Sequence, residues 1–486
     1  MYVLGIDFGG GSCKATLLSK DGQVVFTSFT EYPTKYESNG SATQNPWDWY
    51  NAAVKTISTI LSSGFNAKDI ECLCFDAATH TAVLLAEDRE VLCDSIYWTD
   101  TRAREEAQML MADYGDEIFQ KCKHYPDTIW TIAHIMLIKK LHPEIHSRIW
   151  KVVYAKDFVR SQFTGDLVTD FIEAQGSMLF NYDKMDWDEH LLSLCGLNLA
   201  QMPEIVSPLD VVGTIRDKAA LDTGLVLGTK VICGSTDTVM EVLASGAIHE
   251  GDTTIKLATA GRICIVSPNL VPADSIINYS HLIKGLYYPG SATKSCASSL
   301  RWFRDRFGGD YNSFSAMAET IEVGSEGLIF HPYISGELTP YANPKLKGNF
   351  FGIMQNHGKA HFARSIMEGA ALSLLDCFEF LKTKNLIPLG KVYVIGGAAR
   401  SKVWRQIVSD VLNFTLINTA DNDSSFGSAM CAGIAVGYFA DFKDSVAKCS
   451  HISKITYPNH ENHRKYIEIY KKYKKIALFL CDMTNE

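Results

Sequence analysis

The chain has 486 residues, too many for one ordinary hydrophobic core, so two domains of about 200–250 residues are expected. Apolar residues make up 47% and charged residues 21%, the balance of a globular rather than a disordered chain. With 46 Lys and Arg against 55 Asp and Glu, the formal charge of −9 argues against dependence on nucleic-acid phosphates and leaves any anionic ligand to local devices.

No basic stretch precedes the first apolar run, which Asp7 interrupts, so no secretory signal is expected. Nor is any apolar stretch long enough for a spanning helix. The 13 cysteines are odd in number and scattered, with no C-x-x-C spacing. Cys72 and Cys74 share one face of a strand, and buried reduced thiols in a cytosolic protein are expected in preference to metal ligands.

In chain order, MYVLGIDFGGGSCKATLLSKDG reads as a β-hairpin. An apolar run, Val3 to Ile6, ends at Asp7; Gly9-Gly10-Gly11-Ser12 makes the turn; Ala15 to Leu18 forms the return strand, closed by Asp21-Gly22. The glycines fit neither G-x-x-x-x-G-K-[ST] nor a G-x-G-x-x-G opening a helix, so neither a P-loop nor a dinucleotide site is indicated. Two readings remain open. One is a tight turn with a solvated Asp. The other is an anion cradle, with bare backbone N–H groups at a phosphate and the acid beside them suited to Mg²⁺.

QVVFTSF continues as a strand, PWDWYNAAVKTISTILSS as a helix, and IECLCFD and TAVLLA as strands. CFDAATHTAVLLA puts Asp76 and His80 at a strand end, and IYWTDTRAREE puts Trp98, Asp100 and Arg102 at another. An aromatic face, carboxylates and a guanidinium together suit a polyhydroxylated ligand. Separately they read as a partnered buried His, a core Trp and a surface Asp–Arg pair. KVVYA is strand-like, and VICGSTDTVMEVLASGA is a strand running into a helix with Asp237 at the junction. There Asp237 serves either as a helix cap or as a base for a substrate hydroxyl.

TTIKLATAGRICIVS, residues 253–267, repeats the opening layout: apolar run, small turn with Gly261, second run. GAIHEGD before it suggests a junction near residue 248, hence related domains at 1–247 and 248–486 facing across a cleft. LYYPG and GLIFHPY read as strands and FARSIMEGAALSLLDCFEFLK as a helix. KVYVIGG ends in Gly396-Gly397 before the helix SKVWRQIVSDVLN, a junction that lets backbone approach a flat ligand. TLIN is another strand. DSSFGSAMCAGIAVGYF has Gly427, Ala429, Ala432, Gly433 and Ala435 at helical spacing, which close helix packing explains equally well. ENHRKYIEIYKKYKKIALFL places Tyr466, Tyr470, Tyr473, Ala477 and Leu480 on one helical face and lysines on the other, a docked helix with either a solvated basic face or an anionic-partner site. Strands alternating with helices throughout argue an α/β architecture.

In order, over nearly the whole chain, these segments, with QNPWDWY, KDFVRSQFTGDLVTDFIEAQGSMLF, ASSLRWFRD and HPYISGELTPYANPKLKGNFFGI, resemble the FGGY carbohydrate kinases, xylulokinases most of all. The resemblance implies two actin-like, ribonuclease H-like α/β domains with a central cleft, in the superfamily of sugar kinases, actin and the Hsp70 ATPase. It implies ATP- and Mg²⁺-dependent phosphorylation of a sugar hydroxyl in the cytoplasm, with no nucleic-acid or membrane partner, and by family habit a homodimer. D-xylulose is the leading substrate, with another ketopentose such as ribulose, or a polyol such as glycerol, as alternatives. A nucleotide-binding sugar sensor with little catalysis is the alternative of a different class.

By the same resemblance Asp7 takes the metal. Gly9, Gly10, Gly11, Ser12 and Lys14 meet the phosphates, as does a second hairpin formed by Ala258, Thr259, Ala260 and Gly261. Gly396, Gly397 and Ala398 belong to the adenosine pocket. Asp237 is the base, and His80, Trp98, Asp100 and Arg102 join it on the sugar side. Three departures stand out. Ala258-Thr259-Ala260 replaces the usual Gly-Thr-Ser, Gly336-Glu337-Leu338 the usual Gly-Glu-Arg, and Ala77-Ala78-Thr79 the Gly-Gln-Met of xylulokinases. The first two bear on ATP affinity and the third on the identity of the sugar.

Overall fold

The structure is a computed structural model and describes residues 1–484. The chain divides into two compact units: residues 1–244 with 279–284 and 421–450, and residues 245–278 with 285–420 and 451 onward. The boundary at 244/245 falls beside the expected 247/248. The sequence division differs in assigning 279–284 and 421–450 to the second half, whereas both return to the first unit.

The first unit is built on six strands: β1 (Tyr2–Phe8), β2 (Ser12–Ser19), β3 (Val24–Glu31), β4 (Ile70–Ala77), β5 (Val211–Thr214) and β6 (Lys230–Thr236), in the order β5-β6-β4-β1-β2-β3. β1, β2 and β3 form an antiparallel meander, β4 and β6 run parallel to β1, and β5 closes the edge antiparallel. β1 and β4 are almost continuously buried, as central strands covered on both faces must be, whereas the edge strand β3 alternates. Helix α1 (Pro46–Ser62) starts on Asn45, whose side chain accepts from Trp47 N at 3.0 Å, with Pro46 in the first turn. It buries Trp49, Tyr50, Ala53, Ile57 and Ile60 in a core with Leu4, Ile6, Leu17, Leu73 and Phe75. Helices α2 (Ala155–Thr164) and α3 (Asp237–Ser245) follow.

The second unit repeats this plan. Its strands β7 (Thr253–Leu257), β8 (Gly261–Ile265), β9 (Gly290–Thr293), β10 (Val392–Ile395), β11 (Leu416–Thr419) and β12 (Ile452–Thr456) lie in the order β9-β8-β7-β10-β11-β12. Again a meander is followed by two parallel strands and one antiparallel edge. The duplication expected from the two hairpins therefore extends to both whole sheets. Helices α4 (Ala297–Phe307), α5 (Lys359–Thr383) and α6 (Lys402–Leu412) cover it, with α5 buried over most of its length. The strand expected at LYYPG forms three to four residues later, at Gly290–Thr293. β5 and β12 were not signalled, because as exposed edges they carry no buried alternating face.

Helix α7 (Ser424–Ala435) returns to the first unit and lies on β1 and β4. Its small residues serve close packing: a Cβ on Gly5 would lie 1.9 Å from Ser425 O, and one on Gly427 would lie 2.1 Å from Met240 O. The last helix, α8 (His460–Thr484), docks on the second unit through the expected face, with Tyr466, Tyr473 and Ala477 fully buried. Asp376 on α5 holds it, accepting from Tyr470, from Tyr341 and from Lys474 Nζ, the last two at 2.7 Å. All 13 cysteines are free and all but Cys93 and Cys481 are buried. Among the described residues no helix is long and apolar enough to cross a membrane.

Because the atoms facing Gly5 belong to the α7 backbone, they cannot rotate aside. Gly5→Ala is expected to cost about 3 kcal/mol, read as a lowered unfolding midpoint. Gly358→Ala, where no atom stands within 4 Å of the added Cβ, is expected to leave the midpoint nearly unchanged.

Candidate functional site

Three neighbouring strands of the first unit deliver carboxylates to one place. In the parallel pairing of β1 and β4, Asp7 stands directly beside Asp76, and in that of β4 and β6, Asp76 stands beside Ser235. Between Ile232 and Ser235 the register slips by one residue, a β-bulge at Cys233-Gly234. Gly234 is indispensable there: its φ is +73° and a Cβ would lie 1.9 Å from Phe75 O. The bulge carries the chain through Thr236 so that Asp237 opens α3, half-buried, its Oδ1 accepting from Thr238 Oγ1 at 3.1 Å.

Burial raises the Asp7 carboxyl to about 7, with the charges of Asp237 and Asp423 adding to it and hydrogen bonds from Asp76 and Ser424 opposing. Asp76, completely buried, is pushed well above the usual carboxylate range by burial and by the Asp7 charge, against a 2.6 Å hydrogen bond donated by Ser428 Oγ. Asp7 Oδ1 and Asp76 Oδ1 are buried without a hydrogen-bond partner among the described residues. Paired oxygens of this kind call for a shared proton or a hard cation. No three His, Cys, Asp or Glu side chains among the described residues form a metal cage, and a cation completed by waters and phosphate oxygens needs none.

Gly9, Gly10, Gly11 and Ser12 make the β1–β2 turn, closed by Gly9 N–H donating to Ser12 O at 3.1 Å. None of the three glycines is left-handed, so steric access rather than backbone freedom is what they provide. A Cβ at Gly9 would lie 3.9 Å from Asp7 Oδ2, and one at Gly10 would meet the Tyr97 hydroxyl at 2.9 Å. Lys14, cross-strand from Asp7, is tied to Asp423 at 2.6 Å. Asp423 in turn caps α7 by accepting from Phe426 N.

On the other side, Asp100 is buried and fully used within the fold. It accepts from Ala42 N at 2.8 Å, from Arg102 N at 2.9 Å and from the Arg102 guanidinium at 2.8–3.1 Å. Asp100 thus holds Arg102, whose Nη1 stays available, and Trp98 is exposed beside Tyr97. His80, in the left-handed region at φ +73°, is a buried hub. Its Nδ1 meets Gly176 O, its Nε2 the Tyr279 hydroxyl at 3.1 Å, and its ring stands edge-on to Trp130 at 4.8 Å. Since a carbonyl only accepts, Nδ1 carries the proton and Nε2 accepts from Tyr279. Thr79, from the departing Ala77-Ala78-Thr79 segment, presses on Gly176, where a Cβ would lie 2.3 Å from its methyl.

Behind the bulge lies an ionic network that sequence reading missed. Lys156 and Arg160 on α2 are fully buried and bind Asp157, Asp166 and Asp170. Arg160 Nη1 donates to Cys233 O at 2.7 Å, and Ser235 Oγ donates to Asp170 Oδ1 at 2.8 Å, so both residues flanking Gly234 are anchored. Glu173, whose carboxyl is pushed well above the usual carboxylate range by burial, accepts from His80 N. The segment KDFVRSQFTGDLVTDFIE contains every one of these charges, but nothing in it signals that they are buried.

In the second unit the Ala258-Thr259-Ala260 turn sits on the N-terminus of α4: Thr259 O accepts from Cys296 N at 2.9 Å and Ala258 O from Ala297 N at 2.8 Å. No residue of the turn is left-handed, so alanine at 258 and 260 introduces no backbone strain. Gly261 packs where a Cβ would meet Thr293 at 2.8 Å. Gly396, at φ +93°, lies against Leu257 O, 2.6 Å from an added Cβ, which brings Gly396, Gly397 and Ala398 beside the hairpin. Glu337 is pushed up to about 7 by burial, against donors at Lys294 N, Thr293 Oγ1, Leu338 N and Ser373 Oγ. It pins the end of β9, a role that needs no arginine at Leu338.

Comparison with known proteins agrees with this architecture. The chain matches the N-terminal domain of the FGGY family of carbohydrate kinases over residues 2–244 and the C-terminal domain over residues 260–436. It is 28% identical over 491 residues to xylulose kinase of Bacillus subtilis, covering 100% of this chain and 98% of that one. It is also 28% identical over 461 residues to gluconokinase of the same organism, covering 92% and 90%. The crystal structure of ligand-bound xylulose kinase from Lactobacillus acidophilus aligns with a TM-score of 0.91 at 24% identity, over 99% of this chain and 98% of that one.

The duplicated α/β units, matched over both halves, define a two-domain sugar kinase, an enzyme that transfers phosphate to a sugar. The chain belongs to the FGGY family of carbohydrate kinases, whose members use ATP as phosphate donor.

The buried network makes a direct demand on stability. Asp170→Asn removes one of the two anions paired with Lys156 and is expected to cost about 3 kcal/mol, measured by denaturant unfolding. A loss within experimental error would show that Asp157 alone satisfies the buried lysine.

Proposed function

We propose that the chain transfers the γ-phosphate of ATP to D-xylulose, giving D-xylulose 5-phosphate, with Asp237 as the base for the attacking hydroxyl. The observation that carries the catalytic reading is the convergence of Asp7, Asp76 and Asp237 on adjacent strand ends beside the glycine turn. D-xylulose is favoured by the relatives named xylulose kinase, which align over essentially the whole chain.

Phosphoryl transfer needs positioning and charge neutralisation more than covalent chemistry. Asp237, the first residue of α3, would accept the proton of the attacking hydroxyl from this strand-to-helix junction. The N–H groups of the glycine turn would orient the phosphates. Asp7, with Asp76 beside it, would hold Mg²⁺, which supplies charge neutralisation on the phosphate oxygens when bound; the unpartnered oxygens of this pair fit such a cation. Arg102, held by Asp100, would direct its free Nη1 at the sugar. His80 would shape that side of the pocket through Tyr279 and Trp130 rather than by a free ring nitrogen. In the second unit, Ala258 to Gly261 would meet phosphate, and Gly396 to Ala398 would meet adenosine.

Gluconate is the second reading, favoured by the gluconokinase relative at equal identity and by the guanidinium of Arg102, which suits a carboxylate as well as a hydroxyl. Sugar-dependent ADP release by the purified protein separates the two. D-xylulose, L-xylulose, D- and L-ribulose, gluconate, glycerol and several aldoses form the panel, and the strongest response is expected with D-xylulose. A response to gluconate alone overturns the xylulose assignment. Nucleotide binding without turnover on any of them points to a sensor.

Asp237→Asn is expected to lower kcat by about 10²–10⁴-fold with sugar affinity little changed; near-normal turnover would place the base elsewhere. Asp7→Ala is expected to weaken Mg²⁺-ATP binding, and an unchanged nucleotide titration would remove Asp7 from the metal role.

A further inference from the structure

The three carbonyls of the glycine turn are all captured from one side. Gly9 O accepts from the Tyr32 hydroxyl, Gly11 O from Tyr32 N at 3.0 Å, and Gly10 O from the Thr34 hydroxyl and from Gln44 Nε2 at 3.3 Å. Behind these bonds stands an ordered donor chain. Trp49 Nε1 can only donate, and it does so to Gln44 Oε1 at 3.2 Å, which fixes the amide with its nitrogen toward the turn. Gln44 Nε2 then donates to Thr34 Oγ1 at 2.7 Å, leaving the Thr34 proton for Gly10 O. Tyr32, Gln44 and Trp49 are buried, which shields the inner part of the chain from competing water, while its last bond, Thr34 to Gly10, is exposed.

The turn's own N–H groups are not tied in this way. Among the described residues the N–H groups of Gly10 and Gly11 donate to nothing. A peptide whose carbonyl is held on one side presents its N–H on the other, because the unit is planar and trans. Three glycines without such ties would sample many conformations, and ordering them on a ligand would cost affinity.

We propose that Tyr32, Thr34 and Gln44 are positioning residues that hold the Gly9–Gly11 turn by its carbonyls and so pre-orient its N–H groups toward the nucleotide phosphates. The inference deepens the phosphate reading of this turn and rests on it. Trp49 sets the amide orientation on which the Gly10 tie depends. The kinase thereby gains an ordered anion site on a sequence that is intrinsically loose.

Nucleotide titration of the full-length protein, together with separate KM values for ATP and sugar, tests this. Thr34→Val and Tyr32→Phe each remove one hydroxyl with little change of shape. Each is expected to weaken ATP binding about three- to tenfold, leaving the sugar KM unchanged. Thr34→Ser, which keeps the hydroxyl, is expected to restore wild-type affinity, and Gln44→Glu, which sets oxygen against the Gly10 carbonyl, to weaken it further. Gly9→Val is the control: its Cβ would stand 3.8 Å from Ser12 O and 3.9 Å from Asp7 Oδ2, in ordinary contact on the Asp7 side of the turn. If Gly9→Val abolishes ATP binding while Thr34→Val and Tyr32→Phe leave it intact, the positioning role is overturned and the phosphate reading stands. If Gly9→Val also binds ATP normally, the phosphate reading itself fails and the proposal with it. A lowered unfolding midpoint with unchanged ATP affinity in Thr34→Val and Tyr32→Phe assigns these residues to stability alone and overturns the proposal.

Discussion

Like-charged carboxylates repel when they are withdrawn from water, and the first unit nevertheless brings Asp7, Asp76 and Asp237 to adjacent strand ends. Neither of the buried pair can be fully ionised beside the other without a proton or a cation to offset the charge. The surrounding structure makes this arrangement tolerable. Ser428 donates to Asp76, Lys14 pairs with Asp423, and Thr238 donates its hydroxyl to Asp237. Even so, the chain itself leaves the Asp7 and Asp76 Oδ1 atoms without a hydrogen-bond partner among the described residues.

Such a site must also be rigid, since carboxylates free to turn outward would relax into water. Rigidity comes from behind. The bulge at Gly234 departs from sheet geometry, and its two flanks are bonded to Arg160 and Asp170, themselves part of a dry ionic network. Buried ion pairs are weak contributors to stability compared with apolar packing, because desolvation offsets most of their attraction. What they offer here is direction: a guanidinium and a carboxylate fix the two residues flanking Gly234 far more narrowly than leucines could. The carbonyl ties of the glycine turn apply the same logic on the neighbouring strand end.

Much of this was legible in the sequence, and the remainder was hidden for identifiable reasons. The two hairpins, the strand-to-helix junction at Asp237 and the docking face of the last helix are local patterns, set by periods of two or 3.6 residues and by turn chemistry. The pairing of Asp7 with Asp76 is a register between strands about 70 residues apart, and no local pattern encodes it. Tyr279 reaches His80 because six residues, 279–284, leave the second unit for the first, and α7 likewise crosses back. Charged residues of α2 look like a solvated helix face until the fold is known. The exposed edge strands β5 and β12 left no apolar alternation to detect.

The duplicated sheets show why only one half concentrates acids. Asp7 lies two residues before the first turn residue Gly9, and Lys256 lies two before Ala258. Asp7 pairs with Lys14 across its hairpin and Asp76 on the parallel strand; Lys256 pairs with Arg262 and Ile395. One scaffold position thus carries two buried carboxylates in the first sheet, and a cation beside an apolar residue in the second. A hard cation has no ligands at the second position, whereas an anion or an uncharged flat surface meets no repulsion there. Glycine divides in the same way. In the first unit the turn itself is glycine and is tied by its carbonyls. In the second the turn is alanine and threonine, seated on a helix N-terminus, and the close approach is made by Gly396 on the next strand. Duplication supplied two equivalent platforms, and the replacement of a few side chains at strand ends is enough to make one of them acidic and the other cationic and apolar.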